Sequence, residues 1–191
     1  MSLKLLCPII YPITSGNREL LNILQLVRVA VEAEVALLQI REKSLPAREL
    51  FELTTRAVEI TRGSKTRLLV NDRADIARAA GADGVHLTAN SLPADVVRSI
   101  FGPEFLIGVS THSLDEARAA RDKGADFVVF GPIFEKRGFS SPQGLDRLRE
   151  VTGELGDFPV LAIGGITLEN AGACFEAGAS GIAAIRLFGG T

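Results

Sequence analysis

Three polar side chains that could bind an anion alternate with apolar ones in the first quarter of the chain. The segment 35–42 is predicted to be a strand, and side chains alternate along a strand, so Gln39, Arg41 and Lys43 share one face. A guanidinium binds phosphate oxygens as a fork, and an ammonium binds them as a point charge. If this face lines the inside of the protein, it predicts a phosphate site. The alternative is that it points outward among helices, where three polar positions would be costly to bury.

A second polar group, Asn71-Asp72-Arg73, stands at the end of the predicted strand 66–71. An amide, a carboxylate and a guanidinium beside the two cations of the earlier strand would suit a magnesium-bound diphosphate. Mg²⁺ takes one or two carboxylates together with substrate oxygens and water. The alternative is that Asn71 or Asp72 only caps the helix that follows.

A pair of glycines ends a short, buried apolar run late in the chain. Because they lack a Cβ atom, Gly164 and Gly165 permit a sharp turn and a close approach of backbone to ligand. Thr167 is predicted to cap a helix over residues 168–177, whose free N–H groups favour an anion. The alternative is a simple strand-to-helix turn. The next predicted strand, 181–188, favours the anion site, because barrels often hold phosphate after their last two strands.

Other candidate residues are single side chains. Ser110 ends a predicted strand and could bond a ligand. His86 lies inside a strand and His112 just past one, so either could be a general base or a hydrogen-bonded structural residue. Cys7 and Cys174 lack metal-ligand spacing and are predicted to be reduced, buried thiols, so no zinc site is indicated.

These candidates are positioned by eight apolar strands that alternate with helices, a pattern typical of a (β/α)₈ TIM barrel. The predicted strands are 5–13, 35–42, 66–71, 84–88, 105–110, 127–133, 160–163 and 181–188. The active site of such a barrel lies at the C-terminal ends of its strands. The chain stops soon after the eighth strand, so a full eighth helix is predicted to be missing. We expect either that a second copy covers this face in a homodimer or that the chain is truncated.

Length and composition favour a single domain. The 191 residues fit a single domain over 1–191, and 47% hydrophobic residues supply a core. Lys plus Arg number 21 and Asp plus Glu number 23, a net charge of −2 without a basic stripe, so nucleic-acid binding is not expected. The sequence has no signal-peptide pattern and no apolar stretch near the roughly 20 residues that cross a bilayer. We expect a cytoplasmic protein that does not bind membranes.

Several motifs spread along nearly the whole chain carry a family resemblance. They are Gln-Ile-Arg-Glu-Lys at 39–43, Val-Asn-Asp-Arg at 70–73, Gly-Ala-Asp-Gly-Val-His-Leu at 81–87, Gly-Val-Ser-Thr-His at 108–112, Gly-Pro-Ile-Phe at 131–134, Ala-Ile-Gly-Gly-Ile at 162–166 and Gly-Ala-Ser-Gly-Ile at 178–182. In this order they resemble the thiamine phosphate synthase and thiazole tautomerase (TenI) family.

The resemblance implies a (β/α)₈ barrel and a reaction on two small phosphorylated substrates. The synthase joins an aminopyrimidine, carried as its diphosphate, to a thiazole phosphate and releases pyrophosphate with Mg²⁺ present. By resemblance, the diphosphate would be held by Gln39, Arg41 and Lys43, with Asn71 beside them. Asp72 would bind magnesium, and Ser110 would contact the pyrimidine or pyrophosphate side. The thiazole phosphate would be bound by Gly165 and the backbone around Ile185 and Arg186.

The chain also departs from the synthase pattern at several positions. Ser91 stands where the family has a second metal-binding Asp. Residues 135–141, Glu-Lys-Arg-Gly-Phe-Ser-Ser, replace a Thr-Pro-Thr-Lys loop that grips the thiazole phosphate, and Lys136, Arg137 or Ser140 could compensate. Arg186 and Ser15 replace a usual Ser and a usual acidic residue.

Two alternatives to synthase activity follow from these departures. Residues 130–135 lean toward the tautomerase branch, although Pro132 replaces the His that some tautomerases place there. A tautomerase would shuttle protons on a carboxylated thiazole without Mg²⁺, and His112 or Glu135 would be the candidate acid or base. The chain could also be a non-catalytic phosphate-ligand binder, because a fold does not imply its activity.

Overall fold

Short apolar runs separated by amphipathic segments fold into alternating strands and helices. The computed structural model describes residues 8–16, 19–135 and 141–185. The strands are β1 Ile9–Pro12, β2 Leu37–Ile40, β3 Arg67–Asn71, β4 Gly84–Leu87, β5 Leu106–Thr111, β6 Phe127–Phe130, β7 Val160–Ile163 and β8 Gly181–Ala184. The helices are α1 Leu20–Glu32, α2 Ala47–Thr61, α3 Ala74–Ala80, α4 Ala94–Phe101, α5 Leu114–Asp122, α6 Gly144–Leu155 and α7 Ala171–Glu176.

All eight strands are parallel and form one sheet in the order β1-β8-β7-β6-β5-β4-β3-β2. The sheet curls until its two edge strands meet. There, Ile13 forms an isolated parallel bridge to Gln39, and the Thr14 N–H donates to the Gln39 carbonyl over 3.0 Å. This seam makes the structure a (β/α)₈ barrel, which confirms the predicted fold. The predicted loss of the eighth helix concerns residues after 185, outside the described residues.

Helix α2 shows how the sequence builds the outer layer. Leu50, Leu53, Thr54 and Ala57 recur at helical spacing and are all buried, so one stripe of the helix packs on the barrel. Gly63, with a φ of 77°, lies just past the helix end and turns the chain toward β3. No helix in the described ranges is long and apolar enough to cross a membrane.

The core has an inner cluster that fills the barrel and an outer cluster between the strands and helices. In β2, Leu37 belongs to the inner cluster, whereas Leu38 and Ile40 belong to the outer one. Because neighbouring side chains on a strand point to opposite faces, the odd-numbered residues of β2 face the barrel interior. The inner cluster consists of Ile9, Tyr11, Ile13, Ala36, Leu37, Leu69, Leu106, Phe127, Val129, Leu161 and Ala183.

Candidate active site

Gln39 of β2 lies in the barrel interior. Gln39 is only 1% exposed, and its Nε2 donates a 2.8 Å hydrogen bond to the Tyr11 hydroxyl in the inner cluster. Arg41, two residues further toward the mouth, is half-buried, and its backbone N–H donates to Thr14 Oγ1 over 2.8 Å. Gln39 is therefore a buried interior residue, while Arg41 lies nearer to solvent.

A cavity of about 310 Å³ joins the ends of β2 and β3; we call it the β2–β3 cavity. Its lining residues are Ile40, Glu42, Lys43, Leu45, Leu50, Asn71, Asp72 and Arg73. Lys43 and Asp72 are both exposed there. The fold thus brings a cation from one strand end and the carboxylate, amide and guanidinium from the next strand to a single cavity.

Asp72 has an unusual backbone conformation. Its φ is 66°, a region that costs a residue with a Cβ atom about 1–3 kcal/mol and persists only where the surroundings impose it. Its own N–H donates to the His86 carbonyl over 2.9 Å, and the Arg73 N–H donates to the Asn71 carbonyl over 2.8 Å, which closes a three-residue turn. This strained residue is one of those that line the β2–β3 cavity.

The alternative role of Asn71 or Asp72 as a helix cap is wrong. Arg73 occupies the N-cap position of α3, and no side chain there makes a capping hydrogen bond. Arg73 instead pairs with Asp75, from Nε to Oδ1 over 2.8 Å and from Nη2 to Oδ2 over 2.5 Å. The hydrogen bonds in this pair raise the pKa of Arg73 and lower that of Asp75. Arg73 therefore lines the cavity as a braced cation.

Behind this cavity, His86 and Ser110 belong to a hydrogen-bonded set inside the barrel. His86 is 3% exposed, and its ring nitrogens lie 3.3 Å from the Tyr11 hydroxyl and 2.8 Å from Ser110 Oγ. Burial, and secondarily the charge of Arg41, lowers the pKa of His86 to about 3. The ring is therefore neutral near pH 7. Both nitrogens are bonded within the protein, which supports the structural alternative for this residue over the general base.

On the other side of the mouth, Gly164 and Gly165 form the β7 bend. Their φ angles are 98° and 66°. A Cβ atom on Gly164 would lie 2.5 Å from Pro132 Cβ, and one on Gly165 would lie 2.7 Å from the Glu135 carbonyl oxygen. Both positions thus require glycine for conformation and for space.

The chain after the β7 bend differs from the sequence prediction. Helix α7 begins at Ala171, three residues later than expected, and Thr167 does not cap it. Instead the Thr167 N–H donates to Asn170 Oδ1 over 2.8 Å, and Asn170 Nδ2 donates to the Gly165 carbonyl over 3.0 Å. Asn170 therefore braces the bend from the side of the helix. Ile185, half-buried, packs against the inner cluster.

The two proposed acid–base residues lie away from the β2–β3 cavity. His112 is exposed, and its Nδ1 donates to the Gly131 carbonyl over 2.6 Å. It lines a different cavity of about 330 Å³ between α5 and α6, together with Ser113, Leu114, Asp115, Phe130, Gln143, Arg147, Glu150 and Val151. The two cavities share no lining residue. Glu135 is exposed beside Gly165.

Several departures from the family pattern can also be located. Ser91 is half-buried and its Oγ accepts a 2.7 Å hydrogen bond from the Thr88 N–H, so this side chain stabilises its own turn. Arg186 and the loop residues Lys136, Arg137 and Ser140 lie outside the described residues.

The donors that line the β2–β3 cavity fit a magnesium ion. Mg²⁺ prefers oxygen ligands and is commonly held by one or two carboxylates plus substrate phosphates, with several waters retained. The exposed residue Asp72 supplies a carboxylate for that requirement, and Asn71 lines the same cavity. Within the described ranges, no group of three or more His, Cys, Asp or Glu residues could hold a metal ion.

Two residues important to this arrangement were not singled out from the sequence. Tyr11 is the single tyrosine of the chain and interrupts an otherwise apolar strand, which is a signal that its hydroxyl has a buried partner. Asn170 had no comparable signal, because Thr167 has the residue type and position of an N-cap.

Comparisons with known proteins agree with the fold and show the family of the chain. The family model described as thiamine monophosphate synthase matches residues 10–188. The chain is 40% identical to putative thiamine-phosphate synthase 2 of Aquifex aeolicus, over 95% of this chain and 97% of that protein. It is 44% identical to thiamine-phosphate synthase of Moorella thermoacetica, over 85% and 78%.

A solved structure supports the same assignment. Thiamine phosphate pyrophosphorylase from Pyrococcus furiosus superimposes with a TM-score of 0.81 at 36% identity, covering 93% of this chain and 85% of that one. The family model and these relatives extend over the barrel from its first to its last strand, and the chain belongs to the thiamine monophosphate synthase family.

Proposed function

We propose that this protein is a thiamine-phosphate synthase. It would couple an aminopyrimidine, carried as its diphosphate, to a thiazole phosphate and release pyrophosphate. Relatives of that name at 40–45% identity support the proposal. The observation that carries it is the meeting of Lys43 with Asp72 in one cavity, where a diphosphate and its cation could be held together.

The reaction explains why charged residues dominate this end of the barrel. The carbon–oxygen bond to the diphosphate breaks, the electron pair leaves with the pyrophosphate, and the thiazole nitrogen bonds to the cationic carbon. Fixed charges at the departing oxygens stabilise this transition state, and little acid or base work is needed. Arg41 and Lys43 would bind the diphosphate oxygens. Arg73, braced by Asp75, would add a third cation.

Magnesium is the metal that we propose for the site. Asp72 would hold it, with Asn71 beside it, and the unusual φ of Asp72 would keep the carboxylate turned for this purpose. When bound, Mg²⁺ offsets the negative charge that develops on the leaving pyrophosphate. Since Ser91 stands where the family has a second carboxylate, Asp72 would have a larger share of the binding than in other members.

The β7 bend is our proposed site for the thiazole phosphate. The absence of side chains at Gly164 and Gly165 would let the phosphate approach the backbone, and the chain near Ile185 and Arg186 would complete the site. Gln39 would support the pyrimidine side from inside the barrel, and Ser110 would contact the substrate. Action in the cytoplasm and pairing into a homodimer stay predictions from the sequence.

The deciding experiment is to incubate the protein with the pyrimidine diphosphate, the thiazole phosphate and Mg²⁺ while thiamine phosphate and pyrophosphate are measured. Equimolar formation of both products is expected. Tight binding of either substrate without product would contradict the proposal in favour of a binding protein. Interconversion of thiazole isomers without metal would contradict it in favour of a tautomerase.

A further inference from the structure

Four side chains on four strands form a continuous hydrogen-bonded chain across the barrel interior; we call it the buried relay. Gln39 Nε2 lies 2.8 Å from Tyr11 Oη, Tyr11 Oη lies 3.3 Å from His86 Nδ1, and His86 Nε2 lies 2.8 Å from Ser110 Oγ. The first three residues are buried, and Ser110 is half-buried at the C-terminal end of β5. The relay therefore connects the closed interior to the open mouth.

The direction of each hydrogen bond follows from the first one. The amide nitrogen of Gln39 only donates, so Tyr11 Oη accepts there. Among the described residues His86 Nδ1 is the one other partner of this buried hydroxyl, so the Tyr11 hydrogen is satisfied only if it is donated to that nitrogen. A nitrogen that accepts a hydrogen bond carries no proton, so the imidazole proton resides on Nε2. His86 Nε2 then donates to Ser110 Oγ, which leaves the Ser110 hydrogen for a further acceptor.

Packing keeps the His86 ring in this orientation. Tyr11 meets Phe127 edge to face at a centroid distance of 5.5 Å, and the His86 ring lies 5.7 Å from Tyr11 and 6.2 Å from Phe127. A Cβ atom on Gly108 would lie 2.8 Å from His86 Nδ1 and would also clash with Phe127. The glycine opposite the rings thus leaves space that the two rings fill, which opposes a flip of the imidazole.

We propose that Tyr11 and Gln39 are positioning residues, which hold His86 in its Nε2–H tautomer and thereby make Ser110 a hydrogen-bond donor toward the ligand in the barrel mouth. The acceptor on the ligand would be a lone pair, on a ring nitrogen or a phosphate oxygen. The identity of that ligand rests on the proposed function, but the tautomer of His86 does not. The opposite amide orientation of Gln39 would reverse every bond and make Ser110 an acceptor.

The tautomer can be measured without substrate. The chain has two histidines, so long-range ¹H–¹⁵N correlation spectra of ¹⁵N-histidine protein contain two rings, and His112→Gln assigns them. We expect His86 at pH 7 to show a protonated Nε2 and an unprotonated Nδ1. In Tyr11→Phe, which retains the aromatic ring, this single tautomer should become a mixture. A wild-type His86 with its proton on Nδ1 would overturn the proposal.

A second measurement tests whether the relay acts through Ser110. We expect Tyr11→Phe to lower kcat/KM about three- to tenfold, the effect of one hydrogen bond, and Ser110→Ala to lower it at least as much. In the Ser110→Ala background, Tyr11→Phe should cause little further loss, and Ser110→Thr should retain more activity than Ser110→Ala. Equal losses in both backgrounds would contradict a role through Ser110. If the wild-type protein forms no thiamine phosphate, the proposed function fails, and the tautomer still decides the relay.

Discussion

The β2–β3 cavity presents charged side chains, whereas the β7 bend on the other side of the mouth presents backbone. Lys43 and Asp72 follow the ends of their strands, line the cavity and are exposed. At the bend, Gly164 and Gly165 have no side chains, and their carbonyl oxygens accept hydrogen bonds from the Phe134 N–H and from Asn170. Changes in the cavity should therefore alter binding, while changes at the bend should alter folding first.

The largest effect is expected at the bend. Gly164→Ala places a Cβ atom 2.5 Å from Pro132 Cβ at a φ of 98°, so both overpacking and backbone strain destabilise the folded state. Together these should lower the free energy of unfolding by about 2–5 kcal/mol. Urea denaturation measures this difference.

Gly172→Ala is the matched control. Gly172 lies in α7, and a Cβ atom there would meet nothing within 4 Å. Alanine also favours a helix over glycine, so this variant should be stabilised by up to about 1 kcal/mol. If Gly164→Ala unfolds at the same urea concentration as wild type, the bend does not depend on glycine.

Just past the end of β2, beside the β2–β3 cavity, Arg41→Ala should lower kcat/KM by about ten- to a hundredfold. A hydrogen bond to a charged group contributes roughly 1.5–3 kcal/mol, and the variant would lose such a bond to the diphosphate. Steady-state kinetics with varied pyrimidine diphosphate test this. The control, Arg56→Ala, removes an exposed guanidinium from α2 and should retain wild-type rates. An unchanged rate in Arg41→Ala would remove Arg41 from the site.

Asp72→Asn tests the metal with almost no change in shape. The Mg²⁺ concentration that gives half-maximal rate should rise at least about tenfold. Even the loss of a residue that only hydrogen-bonds to a metal ligand typically lowers metal affinity by about tenfold or more. The control is Asp95→Asn, which changes an exposed carboxylate at the start of α4 and should keep the wild-type requirement for Mg²⁺. Identical Mg²⁺ curves for Asp72→Asn and wild type would place the ion elsewhere.

The smallest effect is the pH dependence of stability that His86 contributes. The folded protein resists protonation of this ring down to about pH 3, whereas the unfolded chain takes up the proton below about pH 6.5. The unfolded state therefore binds more protons in this window, and stability falls as the pH falls through it. Between pH 7 and 6, wild type should lose about 0.7 kcal/mol more than His86→Gln, which keeps a polar side chain. Urea denaturation without divalent ions at both pH values measures this, and parallel losses would contradict it.

Much of the fold was predictable because its signals are local. Strands buried on both faces need uninterrupted apolar runs, and β3 and β7 show such runs plainly in the sequence. Alternation along the predicted strand placed Gln39, Arg41 and Lys43 on one face, and only the buried bond of Gln39 to Tyr11 shows that Gln39 points inward. The placement of Lys43 near Asp72 followed from the parallel fold, which collects the C-terminal ends of strands at one rim.

What could not be predicted depends on partners distant in sequence. Tyr11 meets Gln39 across 28 residues and His86 across 75, so its role exists only once the barrel closes. The positive φ of Asp72 is imposed by hydrogen bonds and has no sequence signature, although Asp tolerates it better than most residues. Arg73 and Asp75 are only two residues apart, so the sequence allowed them to pair. It also allowed Arg73 to contact a ligand, and this contact was the prediction.

The seam between β1 and β2 links ligand binding at Arg41 to closure of the barrel. Every other pair of neighbouring strands has a ladder of three or four registered residues, whereas β1 and β2 are joined by the Ile13–Gln39 bridge and the contacts of Thr14. With so few bonds, this seam is where transient opening should begin. Arg41, whose amide is tied to Thr14, stands directly above it. A substrate bound to Arg41 would stabilise the seam. Substrate binding would therefore favour the closed barrel, and the closed barrel would favour substrate binding.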